Sequence, residues 1–173
     1  MVDLALLQSV SYIAGALGVC VAAVYYIINL RFQVESRKAQ LFQQLIVPWL
    51  SNDFQREGAE LLAMKWTDFD DFARKYDSSV NPDNWAMRAK HWTFLENIGY
   101  SVKRGLIDAD MAYYELAGFY VLWMWDKFGP VITQYRKTIN IPEWFINFEY
   151  LAKELHKQHP IEIREVYGEY RPK

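Results

Sequence analysis

The chain has 173 residues and a formal net charge of −2 at pH 7, and 23% of its residues are charged. This balance excludes the large basic field that nucleic-acid binding needs, so we expect no nucleic-acid partner. The only cysteine is Cys20, which excludes a disulfide framework and a thiolate metal site. Aromatic residues make up 17% of the chain. Such a surplus favours either a dense helical core or a wide contact surface.

The amino-terminal segment is strongly apolar, and no side chain from Leu4 to Leu30 is charged. About 20 apolar residues cross a bilayer as a helix. The sequence therefore predicts a single transmembrane anchor over residues 1–30 and a helical domain over residues 31–173. A cleaved signal peptide is the alternative, but it needs a basic region before the apolar run, and that region is absent.

The charges that flank the apolar run predict its orientation. Basic residues stay on the cytoplasmic side of a membrane segment, and here they follow the run. We therefore expect the amino terminus outside and residues 31–173 in the cytoplasm, at the cell inner membrane or plasma membrane. Membrane lipid is then one partner, and the predicted interface anchors are Tyr25, Tyr26, Arg31, Arg37 and Lys38.

Small side chains recur along one side of the predicted anchor, at Ser11, Ala14, Gly15, Gly18 and Ala22. Such a face lets two helix backbones approach closely, which predicts packing against a copy of the chain or against another membrane subunit. The alternative is that Ala and Gly are merely common in membrane helices.

The remaining segments read as an all-α domain of about five to six helices. A juxtamembrane helix over residues 31–50 continues the anchor until Pro48 bends or ends it. Ser51 and Thr67-Asp68 begin two shorter helices, and Asn81-Pro82 begins a helix with two apolar faces that ends near Gly105. We expect this helix and the next to form a central pair over residues 82–128.

The helix after Asp108 is expected to run to Phe128 and to stop before Gly129-Pro130, with a short helix following over residues 131–138. Pro142 is expected to open the last helix, and residues 160–173 to form a charged surface tail. The stretch 116–125 is apolar but too short to cross a bilayer, which indicates a buried core helix. Within it, Trp123 and Trp125 are candidates for contact with the membrane or a partner.

The stretch FLENIGYSVKRGLID (Phe94–Asp108), then WDKFGPVI, then Tyr135-Arg136, resembles an uncharacterised prokaryotic family. Its members are small proteins with one amino-terminal membrane helix and a cytoplasmic helical domain. The resemblance covers most of the domain, and the anchor followed by RKAQLF also fits. It implies a fold and a location, but it transfers no catalytic residue.

The search for chemistry finds no phosphate loop, metal-binding motif or nucleophile motif. His91 lies on an apolar helix stripe, where a hydrogen-bonded core histidine is commoner than a ligand. His156 and His159 are too few for a metal site, so no metal and no cofactor are expected. Glu96, if buried, needs an Arg or Lys partner.

These observations favour a non-catalytic, membrane-anchored interaction protein, an accessory or scaffold subunit of a membrane complex. One alternative is a module at the inner membrane face that binds or senses a lipid or another apolar ligand in a pocket between helices. A second alternative is an enzyme with an unrecognised site around His91 and Glu96.

Overall fold

The structure is a computed structural model that describes residues 4–116 and 118–159. Within those residues every regular element is a helix, in agreement with the all-α prediction. The helices are α1 (Leu4–Trp49), α2 (Asn52–Ala63), α3 (Phe69–Tyr76), α4 (Pro82–Lys103), α5 (Ala109–Glu115), α6 (Gly118–Ile139) and α7 (Ile146–Gln158). The predicted surface tail over residues 160–173 lies outside the described residues.

The chain divides into two compact units, one ending at Leu41 and the other beginning at Phe42. The first unit is a single helix, the greater part of α1, and it contains a segment long and apolar enough to cross a membrane. By length and composition this helix fits either a membrane span or a signal sequence near the amino terminus. The division at Leu41 separates two compact units, whereas the predicted boundary at residue 30 is the end of a membrane span. That boundary stays a prediction.

Helix α1 runs without interruption past the last apolar residues of the predicted anchor. It has 46 residues, which at about 1.5 Å per residue is about 69 Å of helix. Pro48 lies in its last turn, and the helix ends one residue later at Trp49. The predicted effect of Pro48 is therefore confirmed, because proline cannot sit in a helix interior without removing a backbone hydrogen bond.

Three of the predicted helix starts are confirmed by side-chain caps. The Ser51 hydroxyl accepts from the Phe54 amide, the Asp68 carboxylate from the Asp71 amide, and the Asn81 amide oxygen from the Asn84 amide. Each cap satisfies one of the backbone N–H groups that have no partner inside the helix. The acidic cluster at Asp68 therefore acts at the start of α3, as its position in the first turn favours.

The helix predicted between Asp108 and Phe128 begins where expected, since Asp108 is the N-cap residue of α5, but its continuity and its end are wrong. It is broken into α5 and α6, and α6 continues through Gly129-Pro130 to Ile139. A Cβ atom on Gly118 would lie 2.2 Å from the Tyr113 ring, so only glycine permits this close return of the chain. Pro130 is tolerated because it and Asp126, whose carbonyl it frees, are both exposed to solvent.

The last helix begins at Ile146 rather than at Pro142. Phe145 has φ of 54°, in the left-handed region, so it cannot belong to the helix that follows it. The Arg136 guanidinium holds this turn by donating to the carbonyl oxygens of Trp144 (2.7 Å) and Phe145 (3.2 Å). The start of α7 thus depends on a contact from α6, which local sequence signals do not contain.

Helix α4 is the centre of the second unit, as its two apolar faces predict. The side chains of Trp92, Leu95 and Ile98 are fully buried. The backbone of α7 approaches α4 so closely at Gly99 that a Cβ atom there would lie 2.0 Å from the Asn147 carbonyl oxygen. Much of the remaining core is aromatic, with Phe54, Phe72, Trp92, Phe128 and Phe148 all fully buried.

Candidate functional site

The predicted helix-packing face lies on the surface of the first unit. Ser11, Ala14, Gly15, Gly18 and Ala22 are all exposed, and a Cβ atom on Gly15 or Gly18 would meet nothing within 4 Å. The 18-residue window that qualifies as a membrane span is 0% buried in the structure. The face therefore has room for another helix, and its role in packing stays a prediction.

Asn29 extends this face by one polar residue that sequence reasoning missed. At about 3.6 residues per turn, Asn29 lies five full turns after Ser11 and within about 20° of Gly18 and Ala22. It is a polar amide in an uncharged apolar stretch. Polar amides at such positions form hydrogen bonds between membrane helices. Counting helical turns beyond Ala22 is the signal that identifies it.

The predicted interface anchors are also exposed on α1. Tyr25 and Tyr26 are 65% and 64% exposed, and the guanidinium-bearing Arg31 and Arg37 face solvent. Lys38 is half-buried, and its ammonium lies 3.7 Å from the Glu35 carboxylate. Their position relative to a bilayer is untested.

In the second unit, an aromatic cluster receives the end of α1. The Trp49 ring stacks on Phe94 with an interplanar angle of 9° and packs against Tyr120 at 5.1 Å and Phe54 at 6.0 Å between ring centroids. Offset and edge-on ring contacts of this kind stabilise beyond the burial of area. Trp49 therefore fastens the last turn of α1 to α2, α4 and α6.

A polar network lies directly beneath this cluster. His91 is fully buried, and its Nδ1 atom lies 2.6 Å from the Tyr120 hydroxyl, while its Nε2 atom lies 3.3 Å from the Glu57 carboxylate. Lys90 bonds the same Glu57 oxygen at 2.8 Å. His91 is thus a hydrogen-bonded core histidine, as its position on an apolar stripe predicts.

The proton positions in this network follow from the chemistry of its members. The Lys90 ammonium keeps the pKa of Glu57 below its usual value, so Glu57 is a carboxylate that only accepts. Burial lowers the pKa of His91 to about 4 and raises that of Tyr120. At neutral pH, therefore, the His91 Nε2–H donates to Glu57, and the Tyr120 hydroxyl donates to the unprotonated Nδ1.

An open groove lies beside this network. Its volume is about 480 Å³, and it is lined by Pro48, Phe54, Ala89, Lys90, Thr93, Phe94 and Asn97. It is formed where the end of α1 and the start of α2 meet α4. Its volume is within the range of about 300–1,000 Å³ that is usual for small-molecule sites. No sequence pattern predicts the groove, because its walls come from segments about 40 positions apart.

A second buried polar group, Arg88, was also missed from the sequence. Its side chain is fully buried, and it donates to the Asn84 side chain at 2.8 Å and to the carbonyl oxygen of Tyr76. The guanidinium carbon lies 4.7 Å from the Phe72 ring centroid and 5.2 Å from that of Trp85. These contacts fasten the end of α3 to α4, so we interpret Arg88 as a structural cation. The sequence does contain one indication of its burial, because Arg88 lies on the same helix face as Trp85 and Trp92.

The other residues that the sequence singled out do not converge on one site. Trp123 is half-buried against Phe119, with 5.0 Å between ring centroids, and Trp125 is half-buried against Phe148 at 5.1 Å. Their partial exposure leaves contact with a membrane or partner as a prediction. Both nonetheless contribute to the packing of α6.

Glu96 is half-buried, and its partners are not the Arg or Lys expected of a buried carboxylate. Its carboxylate accepts from the Asn147 side-chain amide and from the Phe148 backbone N–H, both at 2.7 Å, rather than from an Arg or Lys. Because Phe148 lies in the first turn of α7, Glu96 satisfies a helix N-terminus that lacks its own side-chain cap. Both carboxylate oxygens of Glu96 therefore take part in holding the start of α7.

The two carboxy-terminal histidines have different surroundings. His156 is exposed, whereas His159 stacks on Tyr113 with 3.7 Å between ring centroids and lies 3.5 Å from the Asp110 carboxylate. No group of three or more His, Cys, Asp or Glu residues in the described part of the chain is arranged to hold a metal ion. His159 thus joins α5 to the end of α7.

Comparison with known proteins gives one match. The family model described as "Domain of unknown function (DUF4760)" matches residues 13–155. No curated protein and no solved structure matches the chain. The match confirms the resemblance to an uncharacterised family, and a prokaryotic origin stays a prediction.

Proposed function

The chain belongs to the DUF4760 family, and we propose that it is a membrane-anchored interaction protein without catalytic activity. In this proposal residues 1–30 cross the cell inner membrane or plasma membrane with the amino terminus outside. The second unit lies in the cytoplasm. The protein serves as an accessory or scaffold subunit, and its membrane helix packs against a copy of itself or another subunit.

The exposed face of α1 is the observation that carries the proposal. Apolar side chains along the first unit are largely exposed, among them Val10 (57%), Ile13 (61%), Leu17 (61%), Val21 (68%), Val24 (57%) and Ile27 (53%). Exposed apolar surface of this extent marks an interaction with membrane or protein. Because the small-residue face and Asn29 coincide, we place the helix–helix contact on that side and lipid on the other.

The polar groups of the second unit support a non-catalytic role. His91, Arg88 and Glu96 are each engaged in contacts that hold helices together. An enzyme needs a nucleophile or base within reach of its substrate. His91 and Tyr120 are buried, so neither side chain is accessible to a substrate in solution. A role in stabilising the fold therefore explains these groups better than a catalytic role does.

The test is native mass spectrometry of the full chain extracted from its own membranes in mild detergent. We expect a mass that contains a second copy or other chains, and the co-purifying masses identify the partner. A chain that is monomeric at all detergent concentrations would refute the proposal. Trypsin added to sealed right-side-out vesicles should leave the second unit intact, and its digestion there would refute the orientation.

A matched pair of variants tests the proposed face. Ala22→Leu adds bulk on the Gly18 side of α1, whereas Ala16→Leu makes the same change about 120° around the helix from Ala22. We expect Ala22→Leu to dissociate the complex and Ala16→Leu to leave it unchanged. Equal behaviour of the two variants would remove this face from the proposal.

A further inference from the structure

The groove beside Lys90 combines apolar walls with one cation. Phe54 and Phe94 are almost fully buried beneath it, and Pro48 and Ala89 add apolar surface. Thr93 and Asn97 are exposed at its margin. Val47 and Leu50, which are close to Pro48 in the chain, are both 66% exposed. The groove thus presents an apolar strip with polar side chains along its margin.

Lys90 is the only charged residue among those that line the groove. Its side chain is 47% exposed, and its ammonium lies 5.6 Å from the Phe54 ring centroid. Glu57 takes one of the three N–H donors of this ammonium. The remaining donors suit an anionic group placed at the open side of the groove. A carboxylate can form a charge-assisted hydrogen bond with a single ammonium of this kind.

We propose that this groove binds the carboxylate form of a long-chain fatty acid. The acyl chain lies over Pro48 and Ala89, above the nearly buried rings of Phe54 and Phe94, and the carboxylate accepts from Lys90. The apolar floor of the groove favours an acyl chain over a sugar, because polar groups buried against it without hydrogen bonds cost free energy. The open shape accepts a flexible chain of variable length. This site is independent of the helix–helix contact proposed for α1.

The test uses palmitate carrying a diazirine in its acyl chain, with the full chain held in phosphatidylcholine nanodiscs. After irradiation, mass spectrometry maps the labelled residues, which separates the groove from the lipid-facing part of α1. We expect saturable labelling on the peptides that contain Phe54 and Phe94. Labelling confined to α1 before Leu41 would overturn the proposal.

Charge recognition is tested with Lys90→Gln and with hexadecanol carrying the same diazirine. We expect each change to raise the half-labelling concentration about tenfold, the low end of the effect of a hydrogen bond to a charged group. Lys153→Gln is the matched control, because Lys153 is an exposed lysine that pairs with Glu149 on α7. An unchanged concentration for Lys90→Gln, or equal labelling by the alcohol, would refute carboxylate recognition.

The position of the chain is tested with Thr93→Trp, which fills the groove from its exposed margin. We expect this variant to lose the groove labels while retaining the helical circular dichroism of the wild type. Undiminished labelling in a folded Thr93→Trp variant would refute the groove as the site. If that variant does not fold, the exposed Lys90→Gln change still decides the proposal.

Discussion

The contact between α4 and α7 at Gly99 gives the sharpest test of the fold. In Gly99→Ala, the added Cβ atom would lie 2.0 Å from the Asn147 carbonyl oxygen and 3.2 Å from the Leu151 Cβ atom. Ordinary contacts begin near 3.4 Å, so α7 has to move away by more than 1 Å. Because the obstacle is backbone, no side-chain rotation relieves it. We therefore expect the whole start of α7 to shift.

The magnitude follows from what this shift breaks. Overpacking a core typically costs about 1–3 kcal/mol, and the alanine itself returns about 0.5–1 kcal/mol of helix propensity. The shift also lengthens the two 2.7 Å hydrogen bonds from Asn147 and Phe148 to Glu96. Hydrogen bonds to a charged group contribute about 1.5–3 kcal/mol. We therefore expect Gly99→Ala to lower the free energy of unfolding by about 3 kcal/mol in total.

Thermal unfolding of the full chain in mild detergent, followed by near-ultraviolet circular dichroism, measures this loss. For a chain of this size about 3 kcal/mol corresponds to a fall in Tm of roughly 6–12 °C. Gly58→Ala is the matched control, because the atoms nearest its Cβ atom would belong to the Tyr120 side chain, at 3.0 Å or more, and not to the backbone. We expect a smaller fall there. A Tm for Gly99→Ala at or above that of the wild type would refute the close helix approach.

Two further predictions concern buried polar groups. Because burial lowers the pKa of His91 to about 4 from 6.5, the folded state binds fewer protons than the unfolded state below pH 6.5. Stability should therefore be full above pH 6.5 and fall by about 3 kcal/mol towards pH 4. His91→Asn should flatten this part of the profile in chemical unfolding titrations, and an unchanged slope would contradict the assignment. In Lys127→Met, the carbonyl oxygens of Leu62 and Met64 lose the ammonium that bonds them. We expect a loss of about 1–3 kcal/mol in the free energy of unfolding, and a loss below 0.5 kcal/mol would contradict this capping role.

The parts of the fold that sequence predicts well are those set by neighbouring residues. The caps at Ser51, Asp68 and Asn81 each act within three positions of the chain, so local chemistry decides them. The long uncharged stretch of α1 is likewise a local property. The α5–α6 break and the start of α7 were missed because Gly118 meets Tyr113 and because Arg136 reaches forward to hold the turn before α7.

The candidate sites divide in the same way. The face of α1 follows from helical periodicity alone, so its residues were named from sequence, and only Asn29 was left out. The groove depends on Pro48 and Phe54 meeting α4, and its neighbour Glu57 is paired with Lys90 across a separation of 33 positions. No periodic pattern on either helix indicates such a pairing, since Lys90 and Glu57 each look like ordinary surface charges.

The ion pair between Lys90 and Glu57 is connected to a buried side chain, His91, and this connection makes it more important than most surface ion pairs. An exposed pair such as Lys90–Glu57 contributes little by itself, because water screens both charges. In this protein, however, Glu57 also accepts from His91, and His91 accepts from the Tyr120 hydroxyl, whose ring packs on Trp49. A ligand that draws Lys90 towards the groove therefore acts on a carboxylate that orients a buried imidazole. Fatty-acid binding at Lys90 should consequently alter the surroundings of Trp49. If labelled palmitate occupies the groove while the near-ultraviolet dichroism difference between wild type and Trp49→Phe stays the same, the groove is a binding site without influence on the end of α1.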